Sequence, residues 1–372
     1  MTTSVAGCRS VARATQTVAS QPARDDGTIE SLDLVLRTER SEYFSLTYWS
    51  DGLRVKGYLG RPRHGVSLPA VIFNRGGNRE FGALTGREIV PLVEAGFVAV
   101  ASQYRGNLGG EGNEEFGGAD VADVLNLVPL LKRLPRVNPE RIGMVGVSRG
   151  GMMTFLALKQ ETLRGRHDIK AAAVIGGAAD LLALVDARPE MIQIFLDLIG
   201  RWPDEAPYRE RSAVFWPELI NAPLLIQHGE SDQEVPVEQS RRLAELLTNA
   251  GKPVSLVTYP GDDHPLSAHD LGLPETLAWL AGAPRAPLKR FSGSPLPLLT
   301  SSPRPSPSGR GKRTLTRLSE DFASLAAEAT VRPLDPRSSP AYSRPVRSAY
   351  GNDLHSSPRP LRFALRSCRV YA

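Results

Sequence analysis

The chain has 372 residues, of which 41% are hydrophobic and 23% are charged, and its formal net charge is +5. These proportions are typical of a water-soluble globular protein and exclude a collagen, a coiled coil and a membrane bundle. No stretch approaches the roughly 18 consecutive apolar residues of a membrane-spanning helix, so we expect a cytoplasmic protein with no membrane partner.

The first predicted region, residues 1–29, is a disordered N-terminal segment. Residues 1–24 contain three arginines, no acidic residue and no apolar run of the kind that a secretory signal needs. This composition leaves two interpretations, an unstructured chain end or an organellar targeting segment. Cys8 lies here and Cys368 near the other end, which argues against a disulfide framework, a zinc site or a cysteine nucleophile in the core.

Short apolar runs alternate with amphipathic segments throughout residues 30–284. Residues 43–49 and 53–59 alternate in polarity around Ser50-Asp51-Gly52, which predicts an antiparallel hairpin. Buried strands are predicted at 70–73, 97–100, 142–147, 172–175, 223–226 and 254–257. Helices are predicted at 85–95, 119–134, 150–159, 237–250 and 273–281. This alternation predicts one α/β domain, a doubly wound and mostly parallel sheet with an N-terminal antiparallel hairpin.

The segment between the predicted strands at 172–175 and 223–226 is longer than a crossover helix requires. Its apolar and aromatic residues include Trp202 and Trp216. Two structures fit this pattern: a helical cap whose tryptophans bind a hydrophobic substrate, or a further buried helix. We expect the cap.

The sharpest motif, Gly146-Val147-Ser148-Arg149-Gly150, lies where the strand at 142–147 meets the following helix. A GxSxG pentapeptide between a strand and a helix has the geometry of a nucleophile elbow, in which a tight turn raises the serine hydroxyl above the sheet. Glycines flank the serine because such a turn leaves no room for side chains. The alternative is an ordinary glycine-rich turn; a dinucleotide-binding turn would need GxGxxG, which is absent here.

Two loops after later strands carry the partners that a serine nucleophile needs. His228-Gly-Glu-Ser-Asp232 follows the strand at 223–226, and Pro260-Gly-Asp-Asp-His264 follows the strand at 254–257. The chain order Ser, Asp, His is that of the α/β-hydrolase fold, and the carboxyl ends of parallel strands meet at one edge of a sheet. The two aspartates next to His264 could compete with Asp232, but residues on the same tight loop rarely reach the imidazole ring.

The last predicted region, residues 285–372, is a disordered tail. It contains 16 basic residues against 5 acidic ones, together with 12 prolines, so the basic charge of the chain comes from this region. A segment of this composition buries too little apolar surface to offset the entropy lost on ordering. It is either an arm that binds nucleic acid or an acidic surface, or a non-functional extension. We expect no nucleic-acid partner because its arginines lack interleaved aromatic residues.

Together these motifs make the chain similar to the catalytic domain of the prolyl oligopeptidase family of serine peptidases, within the α/β-hydrolase superfamily that also contains dienelactone-hydrolase-like enzymes. The resemblance covers about residues 40–284. It includes Phe73-Asn-Arg-Gly-Gly77, where that family has its oxyanion loop, and Tyr104-Arg-Gly106. One departure is Arg75, because several members have a tyrosine or histidine at this position.

Carried over by position, the resemblance implies a role for five residues. Ser148 is the expected nucleophile, Asp232 the acid that orients the histidine, and His264 the general base. Backbone N–H groups of Arg149 and Gly77 are expected to form the oxyanion hole.

The resemblance implies a serine hydrolase that cleaves a peptide or small amide bond through an acyl-enzyme, without a metal or organic cofactor. A carboxylesterase acting on small hydrophobic esters is the alternative, since esters and amides pass through similar tetrahedral species. A catalytically silent binding protein is a third possibility, against which the complete Ser148, Asp232 and His264 set argues. The expected partner is a small-molecule or short-peptide substrate, and the oligomeric state is left open.

Three arginines each precede a glycine on loops predicted at the carboxyl ends of strands, namely Arg75, Arg105 and Arg149. Either at least one guanidinium faces the pocket and binds a substrate carboxylate or carbonyl, or all three pair with carboxylates and brace the loops. The candidate carboxylates are Glu114, Glu115 and Glu230. We expect substrate contacts from Arg75, Tyr104 and Arg105.

Overall fold

The computed structural model describes residues 24–200 and 204–282. The strands in these ranges are β1 (Ile29–Arg37), β2 (Ser41–Ser50), β3 (Leu53–Pro62), β4 (Leu68–Asn74), β5 (Val98–Ser102), β6 (Val137–Val147), β7 (Ile169–Ile175), β8 (Leu224–Gly229) and β9 (Val254–Tyr259). All belong to one sheet with the order β1-β2-β3-β5-β4-β6-β7-β8-β9.

The helices in the described ranges are α1 (Val90–Glu94), α2 (Val121–Leu125), α3 (Leu127–Arg133), α4 (Arg149–Leu163), α5 (Leu181–Ala187), α6 (Met191–Leu198), α7 (Ala206–Arg211), α8 (Val237–Asn249) and α9 (Leu273–Leu280). Short 3-10 segments lie at Ala213–Phe215, Pro217–Leu219 and Ser267–Gly272. Helices separate most of the consecutive parallel strands, as a doubly wound fold requires.

The sheet has an antiparallel edge and a parallel centre. β1, β2, β3 and β5 pair antiparallel, whereas β5, β4, β6, β7, β8 and β9 pair parallel. The predicted α/β-hydrolase fold with its N-terminal antiparallel hairpin is therefore confirmed. In such a sheet the loops after β4, β6, β8 and β9 leave from the same edge.

Both faces of the parallel strands are covered, which explains their uninterrupted apolar sequences. Adjacent residues on a strand point to opposite faces of the sheet, and in three strands two adjacent residues belong to different core clusters. They are Val71 and Ile72 in β4, Ala99 and Val100 in β5, and Val145 and Met144 in β6.

Two predicted helices are shorter than expected, and a proline explains each. The helix expected at 85–95 is confined to α1, where Pro91 occupies the first turn, the part of a helix that tolerates proline. The helix expected at 119–134 is divided between α2 and α3 at Asn126. Pro129 has no N–H to bond the Leu125 carbonyl, so one continuous helix cannot pass through this point.

The structure also contains one strand that the sequence analysis did not predict. β1 pairs antiparallel with β2 in front of the expected hairpin. The signal was present, because Leu32, Leu34 and Leu36 alternate with other residues along this segment.

The segment between β7 and β8 contains α5, α6 and α7, which agrees with the predicted helical insertion. Phe195 of α6 is fully buried, and its ring centroid lies 5.2 Å from that of Phe116. Asp197 Oδ2 of α6 lies 3.1 Å from Arg79 Nη2, in the loop after β4. The insertion therefore packs against loops that leave the carboxyl edge of the sheet.

The disorder predicted for residues 1–29 and 285–372 concerns mostly residues outside the described ranges. Residues 24–28 are described, and they lead into β1. Between residues 24 and 282, apart from 201–203, no helix is long and apolar enough to cross a membrane. The same ranges contain no group of three or more histidine, cysteine, aspartate or glutamate side chains arranged to hold a metal ion.

Candidate active site

Ser148 occupies a strained turn between β6 and α4. Its backbone angles are φ 58° and ψ −125°, a conformation that non-glycine residues rarely adopt. A methyl group on Gly150 would overlap the carbonyl oxygen of Asn74, and one on Gly146 would overlap the carbonyl oxygen of Gly150. The flanking glycines are therefore required by close backbone contacts, as expected for a nucleophile elbow.

The end of β7 contacts both Ser148 and the loop that carries His264. The Ser148 N–H donates to the carbonyl oxygen of Ile175 at 2.9 Å. A methyl group on the next residue, Gly176, would lie 3.0 Å from Nδ1 and Cε1 of His264. These contacts bring the serine turn and the histidine ring to the same part of the sheet edge.

Asp232 and His264 are joined by a hydrogen bond between Asp232 Oδ2 and His264 Nδ1, at 2.7 Å. The Asp232 side chain is fully buried, and that of His264 is 17% exposed. Asp232 Oδ1 accepts the backbone N–H groups of Glu234 and Val235, at 2.7 and 2.9 Å. The carboxylate is thus held on both oxygens.

His228 supplies a further contact to Asp232 that the sequence analysis did not find. Its fully buried ring places Nε2 3.0 Å from Asp232 Oδ2 and 2.8 Å from the carbonyl oxygen of Val235. Both neighbours of Nε2 are acceptors, so this nitrogen carries the proton. Nδ1 lies 2.6 Å from the hydroxyl oxygen of Ser240.

These contacts decide the charge of Asp232. Burial alone would raise the pKa of this carboxyl, but hydrogen bonds from His228 and His264 together hold the pKa well below its usual range. Asp232 is therefore ionised at neutral pH.

The aspartates next to His264 have other partners. Asp262 Oδ2 lies 2.6 Å from Nδ1 of His269. Asp263 accepts the backbone N–H and the hydroxyl of Ser267, each at 2.8 Å. Neither aspartate replaces Asp232 as the hydrogen-bonding partner of His264, and both tie together the loop on which His264 lies.

The two backbone N–H groups expected to form an oxyanion hole belong to Gly77 and Arg149. Gly77 lies on the loop after β4 with φ +65°, and Arg149 is the first residue of α4. Neither N–H donates to another of the described residues. Arg149 Nη1 donates to the carbonyl oxygen of Gly77 at 3.0 Å, so the two segments are directly linked.

The side chains of Arg75, Tyr104 and Arg105 are buried, in contrast to the substrate contacts expected for them. Arg75 is 1% exposed and Tyr104 is not exposed, and the Tyr104 hydroxyl donates to the Arg75 carbonyl oxygen at 3.0 Å. Arg105 Nη2 donates to Asp123 at 2.8 Å and to Asp51 at 2.9 Å. The contacts favour the bracing alternative, because these polar groups are already bonded within the protein.

Arg149 and Glu114 form a buried ionic cluster behind the serine turn. The Arg149 guanidinium contacts Glu114 Oε1, donates to Asp120 Oδ2 at 2.7 Å and stacks 4.4 Å from the Phe116 ring centroid. Glu114 Oε2 accepts the backbone N–H of Arg79 at 2.9 Å. The Glu114 side chain is only 4% exposed.

Trp216 lies in the core instead of the expected substrate pocket. It is 6% exposed and belongs to the larger core cluster. Its Nε1 donates to the Arg209 carbonyl oxygen at 3.2 Å, and Lys159 Nζ lies 4.4 Å from its ring centroid. Its burial favours the alternative of a further packed segment at this position. Trp202 lies outside the described residues.

Phe81 is an exposed aromatic residue next to the expected oxyanion loop. Phe81 is 79% exposed, and a methyl group on Gly77 would lie 3.0 Å from the Phe81 ring atom Cδ1. An apolar residue in an otherwise polar loop was the available signal. Its position gives the site an apolar surface beside Gly77.

The elbow, the buried Asp232–His264 pair and the α/β-hydrolase sheet define the class as a serine hydrolase. Residues 84–281 match the prolyl oligopeptidase family, Peptidase S9. The chain is 35% identical over 225 residues to the uncharacterized peptidase YtmA of Bacillus subtilis, a match that covers 59% of this chain and 85% of that protein. The chain belongs to the prolyl oligopeptidase family of serine peptidases.

Two solved structures are also similar to this chain, each with a TM-score of 0.55. A puromycin-hydrolyzing peptidase of Mycobacterium tuberculosis is 27% identical, with 62% of this chain and 37% of that chain covered. An acylaminoacyl peptidase of Pyrococcus horikoshii is 25% identical, with 64% and 41% covered. The chain therefore spans most of YtmA but about two fifths of these larger peptidases.

Proposed function

We propose that the chain cleaves a peptide or small amide bond with Ser148 as nucleophile, His264 as general base and Asp232 as the acid that orients the histidine. The observation that carries this proposal is the 2.7 Å hydrogen bond between Asp232 Oδ2 and His264 Nδ1. It joins the loops after β8 and β9 at the sheet edge where Ser148 follows β6.

The tautomer of His264 follows from this contact. Asp232 is ionised, so His264 Nδ1 carries the proton and donates a hydrogen bond to the carboxylate. Nε2 of the neutral ring is then free of a proton and able to accept the Ser148 hydroxyl proton. In the described residues the Ser148 hydroxyl makes no hydrogen bond, so the contact with Nε2 forms part of the proposal.

The reaction proceeds in two steps. His264 Nε2 takes the Ser148 proton as Oγ bonds to the substrate carbonyl carbon, and the carbonyl oxygen becomes an oxyanion. Collapse breaks the carbon–nitrogen bond, and the leaving amine takes the proton from His264. Water then attacks the acyl-enzyme with the same base, which releases the acid and restores the Ser148 hydroxyl.

The N–H groups of Gly77 and Arg149 would stabilise the oxyanion. One lies on the loop after β4 and the other at the start of α4, both at the carboxyl edge of the sheet, and both lack an acceptor among the residues described. A well-placed donor of this kind contributes about 3 kcal/mol to the stabilisation of the transition state.

The proposed substrate class is a short peptide or an acylated amino acid amide with an apolar side chain. Relatives with an acylaminoacyl or puromycin-hydrolyzing activity in their names support amide cleavage. The exposed Phe81 ring beside Gly77 offers apolar contact surface close to the proposed oxyanion hole. A carboxylesterase remains the alternative function.

A fluorophosphonate probe tests the proposal, because it labels only an activated serine. Ser148→Ala should abolish labelling and leave the fold intact. Ser45→Ala is the control, since Ser45 lies on β2 in the antiparallel part of the sheet. Labelling that persists at another serine would overturn the site, and no labelling of the unmodified chain would favour a silent binding protein.

Aminoacyl anilides and p-nitrophenyl esters distinguish the two hydrolytic functions. We expect turnover of both classes, with anilide hydrolysis lost in Ser148→Ala. Turnover of esters alone would favour the carboxylesterase.

A further inference from the structure

We propose that Arg75 is a positioning residue that fixes the peptide between Gly76 and Gly77, and with it the direction of the Gly77 N–H. This inference rests on the proposed function, in which that N–H binds the oxyanion. It goes beyond bracing, because it assigns Arg75 a measurable effect on the transition state.

The Arg75 guanidinium is almost fully buried under the loop after β4 and is surrounded by carbonyl oxygens. Nη1 donates to the carbonyls of Gly76 and Phe81, at 3.1 and 3.2 Å. Nη2 donates to the carbonyl of Arg79 at 2.9 Å. Nε and Nη2 donate to the carbonyl of Gln103, at 3.2 and 3.1 Å. One side chain therefore holds four backbone carbonyl groups.

The bond to the Gly76 carbonyl has a direct consequence for Gly77. A trans peptide is planar, so the carbonyl of Gly76 and the N–H of Gly77 point in opposite directions. A donor that holds the Gly76 oxygen toward Arg75 therefore turns the Gly77 N–H away from Arg75. A methyl group on Gly76 would lie 3.1 Å from Ser148 Cβ and 3.7 Å from Ser148 Oγ, so this peptide adjoins the proposed nucleophile.

The loop needs such a restraint because glycine does not supply one. Gly76 and Gly77 are consecutive, and glycine has access to both signs of φ at little cost. Rotation of this peptide would present a carbonyl oxygen where the proposed hole needs an N–H. Arg75 opposes that rotation, since it would leave a buried guanidinium donor without an acceptor.

Two further contacts favour an arginine at this position. Glu114 Oε2 lies 3.7 Å from Arg75 Nη2, and the Tyr104 ring centroid lies 5.1 Å from the guanidinium carbon; both compensate the buried charge. A guanidinium has five N–H donors in one plane, whereas an ammonium group has three on a single nitrogen. Lysine would keep the charge but could not reach all four carbonyl groups.

The test compares Arg75→Lys and Arg75→Met with Arg105→Lys in the full chain. Arg105 is a second buried arginine, bonded to Asp123 and Asp51, and serves as the control for lost bracing. With an aminoacyl anilide, we expect both Arg75 variants to lower kcat by about 100-fold or more and to change KM by less than about threefold. Arg105→Lys should leave kcat within about threefold.

A peptide boronate supplies a readout that a purely structural role would not change. Its tetrahedral adduct with serine carries an oxygen at the oxyanion position, so its affinity should fall in the Arg75 variants by a factor similar to that of kcat. Folded Arg75 variants with unchanged kcat and boronate affinity would overturn the inference. A rise in KM at constant kcat would instead assign Arg75 to substrate binding.

A measurement on the unmodified chain covers the case in which the variants do not fold. If Arg75 already fixes the loop, binding of the boronate should slow hydrogen exchange at no more than about one amide among residues 76–82. Slowing of the whole segment would show a loop ordered by the ligand and would contradict the inference. Failure of the unmodified chain to bind the boronate or the fluorophosphonate would count against the proposed function instead.

Discussion

The two halves of the proposed site are held in different ways. The acid–base half, around Asp232 and His264, is fixed by hydrogen bonds that residues close in sequence, such as Val235 and His228, donate to the ionised Asp232. The oxyanion half, around Gly77 and Arg149, is fixed by buried charges that are far apart along the chain. One half can therefore be recognised from a local motif, whereas the other depends on the assembled sheet.

Asp232→Asn should reduce activity more than any other variant, because it disrupts the acid–base half. An amide cannot keep His264 in the tautomer with an unprotonated Nε2, so kcat should fall by about 10⁴-fold. The measurement is single-turnover hydrolysis of an aminoacyl anilide at neutral pH. Asp186→Asn, an exposed aspartate at the end of α5, is the control. A decrease of less than tenfold would mean that another group orients His264.

Asp232→Asn should also change how the free energy of unfolding depends on pH. The folded-state pKa of Asp232 is depressed, so its stabilising contribution is complete above the ordinary aspartate pKa of about 3.9 and is lost as pH falls below it. The unfolding free energy of the unmodified chain should therefore decrease more steeply between about pH 5 and pH 2 than that of Asp232→Asn. Urea unfolding across this range measures both, and parallel curves would contradict the assignment.

The oxyanion half is tested by Glu114→Gln. Loss of this buried negative charge leaves Arg149 and Arg75 incompletely compensated, which should lower the unfolding free energy by about 3–5 kcal/mol. Glu115→Gln is a matched control in the adjacent residue, whose side chain is exposed, and should change stability by less than about 0.5 kcal/mol. Equal effects in urea unfolding would show that the ionic cluster does not hold this half.

Phe81→Ala should change substrate binding only modestly. The loss of apolar contact surface beside Gly77 should raise KM for substrates with an apolar side chain about fivefold, a change of about 1 kcal/mol. Labelling of Ser148 by the fluorophosphonate should persist. Val66→Ala, an exposed apolar residue ahead of β4 at the other end of that strand, is the control. An unchanged KM for every substrate would remove Phe81 from the binding surface.

The sequence was sufficient for the features that depend on local spacing. The six parallel strands follow from apolar runs, and the loops with Ser148, Asp232 and His264 follow from motifs placed directly after strands. Their convergence at one edge is a property of parallel sheets. The break at Pro129 and the strand β1 were also available from local signals.

Other features required the folded chain. Glu114 lies in a charged run that resembles an exposed loop, and its burial depends on Arg149, 35 residues later. Arg75 looks like a substrate-binding cation from its position, but its partners are backbone carbonyls that only the loop geometry brings together. Trp216 resembles a cap residue until its packing is known. Long-range pairing of charges and aromatic rings has no sequence period from which to infer it.

The carbonyl groups gathered around Arg75 also constrain how this site can diverge. Replacement of Arg75 by a tyrosine or a histidine would leave several of these buried carbonyls without their donor and would remove a positive charge beside Glu114. The protein would tolerate such a replacement only with accompanying changes in residues 76–81 and at Glu114. Among descendants of this chain, position 75 and position 114 should therefore be inherited as a unit, even though 38 residues separate them.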